Sequence, residues 1–237
     1  MNIVDIIIII FIIIMGITGA KRGVFKEVVL CIGTIFMFYI AYKFKDPIGN
    51  FLLLKLPLFD FPNLFKGVIV LNILVYQLLA FVLILSLLLV LFQIILSITG
   101  LFEKLLRITI IFGIPSKILG FIFGLIEGYV ISFVILFFLT QPALSFDLFI
   151  NSKYCNKILT SSPVLTNITG NTVELMTDIY NLKDEKDSNT LNYKILDMML
   201  DKDVVSYETV NELYNNQKLK LVELKRIILQ TISHILR

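Results

Sequence analysis

The chain has 237 residues, of which 57% are hydrophobic and 16% charged, and its mean hydropathy is +0.90. An ordinary soluble domain cannot bury that much apolar surface, so the composition predicts an integral membrane protein. The net charge of +3 is too small and too dispersed to indicate nucleic-acid binding. The two cysteines, Cys31 and Cys155, lie in regions of different character and do not indicate a disulfide framework.

The first apolar segment predicts a retained transmembrane helix rather than a removable signal peptide. A signal peptide has a basic start and a cleavage site of small residues. Residues 1–15 contain no Lys or Arg and include Asp5, and the basic residues Lys21 and Arg22 come after the apolar run. That order of apolar and basic residues is typical of a membrane-spanning helix.

Four apolar stretches are long enough to cross a hydrocarbon core, which takes roughly 20 helical residues. They lie near residues 3–20, 24–44, 68–98 and 117–140. The sequence therefore predicts an all-α, polytopic membrane protein. We expect a four-helix transmembrane domain over residues 1–140 and a small, polar, extramembrane helical tail over residues 141–237.

Prolines mark the connections between these stretches. Pro47, Pro57 and Pro62 follow the second stretch, and their segment predicts a loop or an interfacial piece. Pro115 precedes the fourth stretch and can start its helix, because proline fits the first helical turn.

The orientation in the membrane follows from the basic residues at the helix ends. Six Lys or Arg residues fall on each side of the predicted bundle, so their number does not set the orientation. Lys21, Arg22 and Lys26 lie directly against the ends of two helices, where basic residues determine topology most strongly. We therefore expect this connection to be cytoplasmic and both termini to be extracytoplasmic.

Each predicted span carries one face of polar or small residues, counted at about 100° per residue. These faces consist of Asp5, Gly16 and Gly19; Glu27, Cys31, Thr34 and Tyr42; Asn72, Tyr76, Ser86, Gln93 and Ser97; and Ser116, Gly120, Gly124, Glu127 and Gly128. One interpretation is packing, since membrane helices associate through small residues and side-chain hydrogen bonds. The other is a hydrated path or substrate site, because polar groups in hydrocarbon must be paired or wet. The glycine spacing of the fourth span fits packing within the chain and oligomerisation alike.

Individual charged residues allow a structural and a functional interpretation. Asp5 and Asn2 form a predicted capping pair at the start of the first helix. Arg22 belongs to the basic cluster that sets topology, and Glu27 lies close enough to neutralise that cluster. Glu127 sits about ten residues into its span, roughly 15 Å along the axis, so it must be protonated, hydrated or paired across helices.

Two short blocks of sequence stand in the order and spacing of a known family's signatures. The first is Asn2-Ile3-Val4-Asp5-Ile6 followed by Gly19-Ala20-Lys21-Arg22-Gly23-Val24-Phe25-Lys26-Glu27, and the second runs from Ser116 to Gly128. They resemble the opening and the LGxxFGxxxG signature of the CvpA family, the colicin V production proteins. The family usually has an acidic or amide residue where Ser116 stands and often a basic one where Glu127 stands. The candidate functional or packing residues are Asp5, Gly19, Arg22, Gly23, Glu27, Gly120, Gly124, Glu127 and Gly128.

The resemblance covers residues 1–140, which correspond to the family's membrane domain. It implies a bacterial inner-membrane protein associated with toxin production or secretion and with envelope maintenance. Some relatives carry an outward-facing, trypsin-like protease domain after the helices. This chain has a single histidine, His234, so its sequence offers no Ser/His/Asp arrangement and no plausible metal site.

The tail predicts short helices joined by polar connections. Helical spacing covers residues 171–183 and 191–200, with a charged break over 184–189. Ser206 fits a helix start, and the spacing over residues 221–236 predicts a last amphipathic helix, which would pack within a small bundle or bind a membrane or partner. Cys155 lies just beyond the last span and is expected to be accessible to thiol reagents.

The sequence contains no phosphate-binding glycine loop, Cys/His ligand set or catalytic constellation, so we expect neither enzymatic activity nor a cofactor. The expected partners are the lipid bilayer and either a second copy of this chain or other envelope proteins, and not nucleic acid. Two hypotheses stay open: a scaffold or accessory factor for toxin production, and a small oligomeric transporter or channel that uses the polar helix faces. A hydrolase built on Glu127 or Asp5 would lack a partner group.

Overall fold

The computed structural model describes residues 2–61, 65–98, 101–140, 152–162, 165–182, 185 and 187–219, and over 101–112 it describes the backbone. This part of the chain is helical and contains no strand. Its helices are α1 (Ile3–Arg22), α2 (Val24–Lys55), α3 (Leu71–Ile98), α4 (Leu101–Leu139), α5 (Lys153–Ser161), α6 (Leu165–Asn181), α7 (Ser188–Asp201) and α8 (Tyr207–Asn215). The predicted all-α fold class is confirmed.

Four helices are long and apolar enough to cross a membrane: α1, α2, α3 and the Gly113–Leu139 part of α4. The predicted set of four spans is therefore confirmed. On α1 the most exposed large side chains recur at helical spacing along one face, which suits contact with lipid. They are Ile3, Ile7, Ile10, Ile14 and Ile17.

The loop predicted directly after the second stretch is wrong in its first part, because α2 continues through Pro47 to Lys55. Proline removes one hydrogen bond of the helix, and tertiary packing can compensate that loss. Gly49 lies so close to α3 that a β-carbon on it would be 2.9 Å from the Cα atom of Gln77. Leu53, one turn further along α2, is buried. These contacts hold the helix together beyond the proline.

The fourth span begins at a break in α4. Gly113 has a φ of 53° and a ψ of −127°, which is not a helical conformation and favours glycine. Pro115 follows two residues later, in the first turn of the continuing helix, as its sequence predicted. The span therefore starts a few residues before the expected residue 117 and ends at Leu139.

The described residues form two compact units. The first contains α1, α2 as far as Phe44, α3 from Phe81 onward, α4, α5 and α6 as far as Gly170. Its first and fourth spans, α1 and α4, pack against each other, and α5 contacts both. Edge-to-face ring contacts join Phe38 to Phe81 and to Phe133, at centroid distances of 5.5 and 5.8 Å. These buried aromatic rings connect α2, α3 and α4.

The second unit contains α2 from Lys45, α3 as far as Ala80, the segment between these helices, α6 from Asn171, and helices α7 and α8. Its apolar core combines residues of that segment with residues of α7, among them Phe65, Val70, Ile195 and Met199. Asn192 is buried in it, accepts a hydrogen bond from Val70 N at 3.0 Å, and donates to Gly67 O and Ser188 O. The proline-containing segment is thus an integral part of a folded unit.

The tail differs from its prediction at several boundaries. Helix α5 was not predicted, α6 begins at Leu165 rather than 171, and the break over 184–189 is too long because α7 starts at Ser188. Asp187 caps α7 by accepting hydrogen bonds from the hydroxyl and the backbone N–H of Thr190, and these bonds lower the pKa of its carboxyl. The helix start at Ser206 is confirmed. The predicted last helix and His234 lie outside the described residues.

Candidate functional site

The close contact between α1 and α4 is made by glycines on both helices. A β-carbon on Gly124 would lie 2.5 Å from Met15 O and 3.1 Å from Gly16 Cα, and one on Gly19 would collide with Gly120 O. Low residue numbers of α1 face high ones of α4, so the two helices run antiparallel. Because no side chain separates them, the two backbones touch.

A second glycine contact lies where α1 passes into α2. Gly23 ends α1 with a φ of 79°, and its N–H donates to Gly19 O at 2.9 Å. A β-carbon on Gly120 of α4 would lie 3.1 Å from Gly23 Cα. The Oγ of Ser116 accepts a hydrogen bond from Val24 N at 3.2 Å, which satisfies an N–H at the start of α2. The connection between α1 and α2 therefore packs against α4 through backbone atoms and through the hydroxyl of Ser116.

Glu27 inserts its carboxyl group into this glycine contact. Its Oε1 atom is 2.9 Å from the position of a β-carbon on Gly19 and 3.1 Å from one on Gly124, so it occupies space that larger residues would fill. The side chain is fully buried, with 0% exposed. Neither carboxyl oxygen accepts a hydrogen bond from any donor in the described part of the chain. A charged carboxylate in such a place is costly unless it is compensated.

Arg22 joins Glu27 to a second buried acid. Its Nη1 atom lies 3.6 Å from Glu27 Oε2 and 3.5 Å from Glu127 Oε2. Glu127 comes from the middle of the fourth span and is almost completely buried. One guanidinium nitrogen thus lies beside two carboxyl groups that belong to α2 and α4, so a single positive charge faces two acidic side chains.

A cavity of about 590 Å³ adjoins this cluster within the first unit. Arg22, Lys26 and Glu127 line it together with Gln93 and Ser97 of α3, and its remaining wall is mainly apolar. Gln93 and Ser97 are the two members of the predicted polar face of α3 that reach the cavity.

The other members of the predicted α3 face make hydrogen bonds elsewhere in the structure. Asn72 binds the backbone of Phe59 through its amide, and Tyr76 donates to Pro57 O at 2.5 Å. Ser86 is exposed and donates to Leu83 O in its own helix. The predicted single polar face is therefore divided between structural hydrogen bonds and the cavity wall.

Asp5 is buried at the other end of α1, where it binds α5. Its carboxylate accepts hydrogen bonds from Ser152 Oγ at 2.5 Å and Tyr154 N at 3.0 Å, as well as from Asn2 N at 2.8 Å. Ser152 in turn caps α5 by accepting from Cys155 N. Asp5 thus accepts a hydrogen bond at the start of α1 and also binds the start of α5. A negative charge at the start of a helix is stabilised by the helix dipole.

The expectation that Cys155 is accessible is wrong. It lies one turn into α5 and is completely buried, whereas Cys31 is buried as expected. Burial and the nearby charge of Asp5 raise the pKa of the Cys155 thiol to about 12. The thiol is therefore protonated and shielded at neutral pH.

The structure brings together eight of the nine sequence-predicted candidates at one contact, while Asp5 lies apart. The eight are Gly19, Arg22, Gly23, Glu27, Gly120, Gly124, Glu127 and Gly128.

Sequence reasoning missed Ser152 and Tyr154 as partners of Asp5. A serine before the apolar spacing of Cys155, Ile158 and Leu159 is a helix-start signal that could have revealed α5. Among the described residues, no group of three or more His, Cys, Asp or Glu side chains is placed to hold a metal ion.

Comparison with known proteins adds one match. The family described as Colicin V production protein matches residues 4–168, which is 165 of the 237 residues. The matched region includes the glycine contact, the Arg22 cluster and the Asp5 contact with α5. No curated protein and no solved structure matches the chain significantly.

Proposed function

This chain belongs to the colicin V production protein family, as a multi-pass membrane protein linked to that toxin's production, and we propose that it acts there as a scaffold or accessory factor. In this role it resides in the bacterial inner membrane and supports toxin production or secretion and envelope maintenance. It performs no chemical reaction and uses no cofactor.

The observation that supports a scaffold is the backbone-to-backbone contact of the first and fourth spans. The glycine face of α4 is occupied by α1 of the same chain, with Glu27 sealed between them. Close packing of this kind gives a membrane domain one well-defined arrangement, which suits a platform that holds other proteins. We propose that the partners are the lipid bilayer and either a second copy of the chain or other envelope proteins, and that nucleic acid is not among them.

The test of the scaffold is secretion of colicin V by cells in which this chain replaces the resident family member. Gly124→Leu places a large side chain against the backbone of α1 and is expected to abolish secretion. Gly170→Ala is the control, because Thr166 Cγ2, at 3.9 Å, is the one atom of the described residues that a β-carbon there would meet, and secretion should continue. Full secretion by Gly124→Leu at equal protein levels would refute a role for the packed spans.

The cavity supports a second candidate, a small oligomeric transporter or channel. Its wall combines Arg22, Gln93 and Glu127 with apolar side chains, as expected of a binding site within a bundle. Flux of ions and small solutes through proteoliposomes that contain the purified chain separates the two candidates. A sealed bilayer favours the scaffold, and a flux that Gln93→Leu reduces favours the transporter.

We propose that the connection between α1 and α2 faces the cytoplasm and that both termini face outward. The positions of Lys21, Arg22 and Lys26 support this orientation. Because Cys155 is buried, we would replace both native cysteines by serine and introduce Glu208→Cys, at an exposed position. Labelling of intact cells by an impermeant maleimide is expected, and labelling only after lysis would invert the orientation.

A further inference from the structure

The site contains two acidic side chains, and one arginine makes an ion pair with both of them. Glu27 and Glu127 lie 3.6 and 3.5 Å from the same nitrogen of Arg22, which limits the separation of their oxygens to about 7 Å. Both carboxyl groups are buried, and one guanidinium balances the negative charge of only one of them. Carboxylates are acceptors only, so a hydrogen bond between the two groups requires a proton on one of them.

The surroundings of Glu27 make a second negative charge at the site costly. Both its oxygens are buried and no hydrogen-bond donor of the described residues reaches them. Solvent cannot compensate the charge, because the side chain is wedged between the glycines of α1 and α4. Two ionised carboxylates this close in a low dielectric repel each other. A proton between them removes both this repulsion and the cost of burying a second negative charge.

The charged and titratable groups around the pair come from three helices. Arg22 of α1 bridges the two acids, Lys26 and Cys31 stand on α2 with Glu27, and α4 contributes Glu127. The cavity wall from α3 contributes the uncharged Gln93 and Ser97. The described residues facing the pair therefore include only Arg22 in ion-pair contact with both acids.

We propose that Glu27 and Glu127 form a proton-binding site in which the pair holds one proton at neutral pH. The ligand is the proton itself, shared between a carboxyl group on α2 and a carboxylate on α4, while Arg22 compensates the one remaining negative charge. Glu127 lines the cavity and Glu27 does not, so the proton exchanges through Glu127. The inference stands apart from the scaffold role and does not depend on it.

The experiment is infrared spectroscopy of the full chain, labelled with ¹³C-carboxyl glutamate and reconstituted in lipid at pH 7. A protonated carboxyl group gives a C=O band that is distinct from that of a carboxylate and shifts in D₂O. The isotope shift assigns the band to glutamate rather than to aspartate or lipid. We expect the intensity of one protonated glutamate per chain, and absence of the band in the unsubstituted protein would overturn the proposal without any variant.

Two single variants then locate the proton. Glu27→Gln and Glu127→Gln each leave one carboxylate with Arg22, so each is expected to lose the whole band. Glu208→Gln is the matched control, since Glu208 is exposed on α8 and the band should remain. A band that survives either of the first two substitutions shows that a single residue holds the proton, and it overturns the shared site. Secretion assays do not enter this comparison, so its failure is distinguishable from failure of the scaffold.

Discussion

Replacing Gly124 by alanine tests whether the backbones of α1 and α4 touch. The added β-carbon would lie 2.5 Å from Met15 O, whereas ordinary contacts begin at 3.4 Å, so the helices must separate by about 0.9 Å. Overpacking of a tight interior costs about 1–3 kcal/mol, and alanine returns about 0.5–1 kcal/mol by favouring the helix. We therefore expect a net loss of about 1 kcal/mol in the free energy of unfolding, within a range of about 0–2.5 kcal/mol.

Two further glycines make this a graded series. A β-carbon on Gly16 meets the side-chain ends of Leu125 and Phe121, at 2.7 and 2.9 Å, and these can move aside, so Gly16→Ala should cost less. Among the described residues, the one atom near a β-carbon on Gly170 of α6 is Thr166 Cγ2, at an ordinary contact distance of 3.9 Å, so Gly170→Ala should stabilise by about 0.4–1 kcal/mol.

The assay is unfolding of the purified protein by SDS in mixed micelles, followed by circular dichroism. The expected order of stability is Gly170→Ala, the unsubstituted protein, Gly16→Ala and then Gly124→Ala. If Gly124→Ala proved as stable as Gly170→Ala, the reasoning from backbone contact would be refuted.

Three other predictions concern the polar contacts outside the glycine site. Asp5→Asn removes the charged acceptor for Ser152 Oγ and Tyr154 N, so α5 should loosen and Cys155 should react faster with maleimide; an unchanged rate would contradict this role. Asn192→Ala leaves the buried Val70 N without its acceptor and should cost about 1–3 kcal/mol in chemical unfolding, whereas the exposed Asn216→Ala should cost less. Asp187 has a lowered pKa, so its cap on α7 is fully present above the ordinary aspartate pKa and is lost as the pH falls through the pKa of the folded state. Asp187→Ala should therefore reduce helicity at pH 7, and the difference from the unsubstituted protein should shrink as an acid titration protonates Asp187; a difference that stays constant through the titration would exclude the charged cap.

The spans were predictable because their signal is local. A run of about 20 apolar residues identifies a membrane helix wherever it packs. The continuation of α2 was not predictable, because Pro47 is a helix breaker by every local rule and only contacts such as that of Gly49 with α3 outweigh it. Helix α5 has a local start signal at Ser152, but its attachment to Asp5, nearly 150 residues away in the sequence, was not predictable from any local pattern.

The residues of the site could be predicted from the sequence, but the relative position of its charged groups could not. Helical faces and family resemblance singled out the glycines, Arg22 and both glutamates. Sequence alone described Glu27 as a counter-charge for the basic cluster and left three options for Glu127. The distance between two acids on different helices depends on the crossing of those helices, which no sequence pattern gives. The shared position beside one guanidinium therefore emerged only in three dimensions.

The pairing of the first span with the fourth has a consequence for how the protein is made. About a hundred residues separate Gly19 from Gly120, and a ribosome needs roughly 5–20 s to add them at typical synthesis rates. During that interval α1 and Glu27 are already synthesised without the helix that encloses them. A nascent chain that stops after α3 would leave this acid uncovered in the membrane, which gives insertion and quality-control factors a defined mark of incomplete biogenesis.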